Sequence, residues 1–173
     1  MAELYKDDIL DRIKYLDEDV DSVFDGDGRF RVIIVGGGAL VLRDYLSRAT
    51  EDIDVLSADS RLYELMRAYD MNGYVNAYIN CFPYNYEDRI DLIWSGSRVD
   101  YYTASLEDIV IAKLCSNRAD DLSDIELVAH MVDWKTLESL ALDEYEIKAS
   151  SMNESRYLDF LDSYERFVGR FRP

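Results

Sequence analysis

The chain has 173 residues, with 36 Asp and Glu against 19 Lys and Arg, giving a formal net charge of −17. An apolar fraction of 49%, only two prolines and two cysteines without a Cys-x-x-Cys spacing exclude a disordered chain, a disulfide framework and a structural zinc, and predict one domain (1–173) with a real hydrophobic core. No apolar run reaches the length of a membrane span, the first residues lack a signal peptide's basic start, and no basic stripe is present to grip long duplex DNA. A cytoplasmic protein with reduced, buried Cys81 and Cys115 and a solvated acidic surface is expected.

In chain order, Leu4, Ile9, Ile13, Leu16 and Val20 recur at helical spacing and predict an amphipathic helix over 2–23, stopped by Asp25-Gly26-Asp27-Gly28. Phe30 to Val35 reads as a buried strand, Gly36 to Gly38 as a turn, Ala39 to Leu46 as a helix and Ile53 to Leu56 as the next strand. Asp59 or Ser60 is placed to cap a helix from about 61 to 71, closed by Asn72-Gly73. From Tyr74 to Thr103 the pattern is β-like, with strands around 89–94 and 98–103 joined at Ser95-Gly96-Ser97. Ser105 with Asp108 forms a capping box for a helix to about Cys115. Helices follow at about 122–131, after Asp133, and at 154–168. The expected fold is α/β, a small mixed sheet with flanking helices (about 29–104) and a helical C-terminal part (about 105–173).

Chemistry concentrates in Val35-Gly36-Gly37-Gly38-Ala39 and, shortly after, Asp52-Ile53-Asp54-Val55. Glycines Gly36, Gly37 and Gly38 between strand and helix let main-chain N–H groups approach a phosphate with no Cβ in the way. Asp52 and Asp54, two apart on a strand, project from one face, and two hard oxygen ligands suit Mg²⁺ shared with substrate phosphates. Together they read as nucleoside triphosphate chemistry. Arg48 is a candidate phosphate contact. The only histidine, His130, is expected to be a partly buried packing residue.

These two blocks, followed by Leu106–Leu114 with Lys113 and then Arg118-Ala119-Asp120-Asp121-Leu122-Ser123-Asp124, resemble the DNA polymerase β-like nucleotidyltransferases. Within that superfamily the chain is most similar to small bacterial members that include AbiEii-type toxins of type IV toxin–antitoxin systems. The resemblance covers about 29–128 and implies a nucleotidyltransferase core moving a nucleoside monophosphate from NTP to an RNA, tRNA included, or a protein acceptor. It also implies a cognate antitoxin as partner, no membrane, and a two-metal displacement with Mg²⁺ on Asp52 and Asp54. Lys113, Arg118, Asp121 and Asp124 are implied to contact phosphate, pyrophosphate or acceptor, and Asp91, ahead of Asp100, is the candidate third carboxylate. Gly38 stands where many relatives carry threonine or serine. The alternative reading is a nucleotidyltransferase-fold module without turnover, a binding or antitoxin-like partner.

Overall fold

The computed structural model of the chain describes residues 3–73, 82–149 and 152–173. They fall into two compact units, Met1–Val75 with Ile90–Ala104, and Asn76–Arg89 with Ser105–Pro173.

The first unit is a mixed five-stranded sheet in the order β3-β2-β1-β5-β4, from strands β1 (Phe30–Val35), β2 (Ile53–Ser57), β3 (Met71–Asn72), β4 (Asp91–Ser95) and β5 (Val99–Thr103). β1 is central, antiparallel to β2 and parallel to β5. Its Val32 to Val35 are all fully buried, as an apolar run covered on both faces requires. Helix α1 (Lys6–Val23) turns Ile9, Ile13, Leu16 and Val20 into the core. Its Asp17, though buried, is satisfied by the main-chain N–H groups of Ser97, Arg98 and Val99 at 2.8–2.9 Å. The hairpin expected at Ser95-Gly96-Ser97 is thus tied to α1 by a carboxylate, and the Tyr101 hydroxyl adds a second tie by donating to the Ile13 carbonyl at 3.0 Å.

Helix α2 (Gly36–Leu42) takes in the three glycines and ends four residues before the expected Leu46; Asp44 then adopts a left-handed φ of 59°. The helix expected over 61–71 shrinks to a 3-10 turn at Ser60–Leu62 and α3 (Tyr63–Arg67). Met71 and Asn72 are instead a strand paired with Ile53 and Asp54. Asp59 does cap this segment, accepting from the Arg61 N–H at 2.9 Å.

The second unit is helical: α4 (Leu106–Ser116), α5 (Ala119–Val128), α6 (Trp134–Ala141), α7 (Glu144–Ala149) and α8 (Glu154–Phe171). α4 is its central helix, packed by α5, α6 and α8, and is buried at Leu106 and at every position from Asp108 to Leu114. A helix apolar all round belongs in a core. Ser105 caps it at the Asp108 N–H (3.0 Å), and Arg89 grips the fully buried Asp108 carboxylate through two bonds of 2.8 and 2.9 Å. α7 was not anticipated. His130 falls in a 3-10 turn after α5 and is exposed, because the break of helical phase at Ala129 turns it away from the buried face. Cys115 is half-buried; Cys81 lies outside the described residues, as do 74–80 of the β-like stretch. Among the described residues no helix is long and apolar enough to cross a membrane.

Candidate active site

The glycine turn and the second strand meet at the end of β1. Val35 pairs with Asp54 across the sheet, which brings the residue after Val35 beside the Asp54 side chain. Gly36 adopts a φ of +64°, a left-handed conformation natural to glycine. A Cβ placed there would lie 3.1 Å from Asp54 Oδ2, and one on Gly37 would lie 3.1 Å from the Thr50 hydroxyl. The space over the turn therefore exists because these positions carry no side chain, and a carboxylate and a hydroxyl border it. The N-cap position of α2 is Val35, whose apolar side chain makes no capping bond. With seven residues α2 adds little macrodipole. Gly38 serves packing instead, with its Cα side against Ile53 and Ile34.

Asp54 is half-buried, and Asp52, exposed, stands at the entry to β2. Asp52 lines a surface cavity of about 290 Å³ with Tyr63, Arg67 and Asn72. The sequence reading missed these three because the predicted helix ran over them; the β3 pairing of Asn72 with Asp54 is what brings them close. Thr50 is held by a two-way main-chain bridge to Leu4 (2.7 and 2.9 Å), and its hydroxyl donates to the Asp52 carbonyl at 3.2 Å. Arg48 is exposed and donates to the Ala49 carbonyl at 3.1 Å.

Neither candidate third carboxylate joins this pair. Asp91 is opposite Thr103, which pairs with Ile34, whereas Asp54 pairs with Val35. Successive residues of β1 face opposite sides, so Asp91 and Asp54 lie on opposite faces, three strand spacings or about 14 Å apart across the sheet. Asp91 forms an ion pair with Arg43 at 3.0 Å. Asp100 shares the Asp54 face but pairs with Arg31, four residues or about 13 Å back along β1 from Val35, and stands two strand spacings across from Asp54, about 16 Å in all. Arg29 and Ser95 hold it, and their hydrogen bonds, with the Arg29 charge, keep its carboxyl below the usual carboxylate range. Among the described residues no three His, Cys, Asp or Glu side chains gather as a metal cage.

In the helical unit, Lys113, Asp121 and Asp124 form one buried cluster. The three residues are 4–5% exposed, and the Lys113 ammonium bonds Asp121 Oδ1 at 2.7 Å and Asp124 Oδ2 at 3.0 Å. Ser116 and Arg118 complete Asp121, bonding its Oδ2 at 2.5 and 2.7 Å. Burial alone pushes the Asp121 carboxyl up, but the bonds from Lys113, Ser116 and Arg118 outweigh it and leave the group below its ordinary value. Lys113, implied by the resemblance to contact phosphate or pyrophosphate, is thus buried on α4 and turned into an ion cluster.

One family model matches the chain over residues 11–172, a family described as nucleotidyltransferase of unknown function (DUF6036). The chain belongs to this nucleotidyltransferase family. No curated protein and no solved structure gives a match. For a nucleotidyltransferase the residues at the end of β1 fit a hard cation in one respect and restrict it in another. Asp54, through its approach to the open side of Gly36, and the nearby Asp52 supply oxygen donors. With one or two carboxylates, a Mg²⁺ ion completes its shell from substrate phosphates and water.

Proposed function

We propose that this nucleotidyltransferase transfers a nucleoside monophosphate from NTP to an RNA or protein acceptor at the end of β1. The observation that carries the reading is the 3.1 Å approach of a Gly36 Cβ position to Asp54 Oδ2: the main chain that would cradle phosphate and the carboxylate that would hold Mg²⁺ border the same space. In this reading Asp52 and Asp54 hold Mg²⁺, which would neutralise phosphate charge and polarise the α-phosphate. Gly36 and Gly37 present N–H groups to the phosphates, and Arg48 adds a positive charge. Arg118, 60% exposed in its side chain, offers a cation for phosphate or acceptor, and Lys113 positions Asp121 and Asp124. A net charge of −17 disfavours a long polyanion, so an RNA acceptor is engaged at one end only. The biological role proposed is that of a bacterial, cytoplasmic, AbiEii-like toxin with a cognate antitoxin.

The separation of Asp91 and Asp100 from Asp54 favours a second reading, a fold that binds nucleotide without turnover. Incubation with labelled NTPs, Mg²⁺ and total RNA or cell extract decides between them: a labelled acceptor supports transfer, and metal-dependent binding with no labelled product supports the module. Asp54→Asn keeps the side chain's size and should lower transfer by at least about a hundredfold, the order lost with one transition-state charge contact, with little change in melting temperature. Full activity in that variant refutes the site.

A further inference from the structure

We propose that the first unit carries a second anion site, built for a small phosphorylated molecule, at the opposite end of β1 from the glycine turn. The five residue steps of β1 put the two ends about 17 Å apart. A cavity of about 540 Å³ opens there, and Arg29, Arg31, Arg61 and Arg98 line it. Four of the chain's 19 basic side chains thus line one concavity of a protein whose net charge is −17, with Asp25 and Asp59 the lining carboxylates; Arg29 is committed to Asp100 and to the Ser97 and Gly96 carbonyls, so Arg61 and Arg98 carry the site.

Arg98 is the buried anchor. It is 4% exposed, and its Nε and Nη1 are held by the Gly28 and Phe24 carbonyls at 2.8 Å each. Its Nη2 makes no hydrogen bond among the described residues, and it is not one of the fully enclosed unpaired atoms; a donor on a rigid, buried guanidinium therefore opens onto the cavity. Arg61 is its counterpart. Nε and Nη2 are committed to Asp59 at 3.1 and 2.9 Å, leaving Nη1 available. Both cations contact the Phe30 ring, with the Arg61 and Arg98 guanidinium carbons 5.1 and 5.9 Å from its centroid. Each cation has a carboxylate partner, Asp59 for Arg61 and Asp21, 3.7 Å away, for Arg98, so what the cavity offers an anion is their remaining donors. Guanidinium donors in a fixed fork match phosphate oxygens. The volume lies in the small-molecule range of roughly 300–1,000 Å³, larger than a bare phosphate, and leaves room for an organic body that Asp25 can contact through hydroxyl groups.

The test is titration of the full chain, in EDTA, with ribose 5-phosphate, inorganic phosphate and ribose, followed by ¹⁵N NMR of the arginine side chains and by calorimetry. Ribose 5-phosphate should shift the Arg98 and Arg61 Nε signals, phosphate more weakly, and ribose not at all. Arg61→Gln, at an exposed position, should weaken binding about tenfold, the loss of one charge-assisted bond, and Asp54→Asn should leave it unchanged. Arg98→Gln, if it folds, should abolish it. Absence of binding, shifts confined to the amides of Gly36–Gly38, unchanged affinity in Arg61→Gln, or binding of an RNA oligonucleotide in place of the sugar phosphate would each overturn the proposal.

Discussion

Replacing Lys113 by methionine keeps the length of the side chain and removes its charge from the centre of the helical unit. In the native protein the ammonium serves Asp121 and Asp124 at 2.7 and 3.0 Å, with all three residues at most 5% exposed. The variant leaves two carboxylates in a low-dielectric interior without the cation between them. Breaking a buried pair in this way costs about 3–5 kcal/mol. Asp121 keeps Ser116 and Arg118, so the lower end, about 3 kcal/mol, is expected. At about 2–4 °C per kcal/mol for a chain of this size, melting should fall by about 6–12 °C by calorimetry or circular dichroism. The triple variant with Asp121→Asn and Asp124→Asn should recover much of the loss, because neutral amides remove the buried charge. A loss under about 1 kcal/mol, the range of an exposed ion pair, would refute the enclosed cluster. Transfer assayed well below the melting point then separates the two roles: preserved activity makes Lys113 a structural residue, and lost activity with a near-native fold restores its contact with substrate.

Gly36→Ala should cost about 1–2 kcal/mol, because a Cβ at φ +64° is strained, and should weaken NTP binding in calorimetry; Gly37→Ala, with the Thr50 hydroxyl as its only near neighbour, should cost less. Gly96→Ala drives a Cβ into the Asp17 carboxylate that holds three N–H groups of the hairpin, and a loss of roughly 2–4 kcal/mol in urea unfolding is expected. Asp121, whose folded carboxyl lies below its ordinary value, contributes stability that is fully present above about pH 4 and lost as pH falls through the lower folded value. Urea midpoints measured from pH 6 downward should show that slope, and Asp121→Asn should flatten it.

Local chemistry was legible in the sequence wherever neighbours along the chain decide the structure. Phe30 to Val35, the Ser105 cap, the Asp133 cap and the Ser95-Gly96-Ser97 hairpin are set by side-chain period, by hydroxyl and carboxylate caps and by glycine, and all stand where the pattern put them. The nearness of Asp54 to the glycine turn follows from the same logic, since a strand, a turn and a returning strand leave few places for the second carboxylate. What failed depended on partners distant in sequence. Met71 and Asn72 read as the end of a helix, but pairing with Ile53 and Asp54 made them a strand. The choice of Asp91 over Asp100 rested on how apolar its strand is, and neither polarity nor propensity reveals that Asp91 lies on the edge strand, on the opposite face from Asp54.

Lys113 is the instructive case, because the signal for its burial is present in the sequence. Ile109-Val110-Ile111-Ala112-Lys113-Leu114 offers no polar stripe, so every face of that helix must be buried, lysine included. A buried ammonium demands buried carboxylates within a few ångströms, and the next helix supplies two, three residues apart and therefore on one face. The same residues that resemble a catalytic block are those an enclosed helix needs for neutrality. Residue type and spacing are shared by the two roles; only the position of the ammonium relative to substrate separates them, and the stability and activity of Lys113→Met report on that position independently.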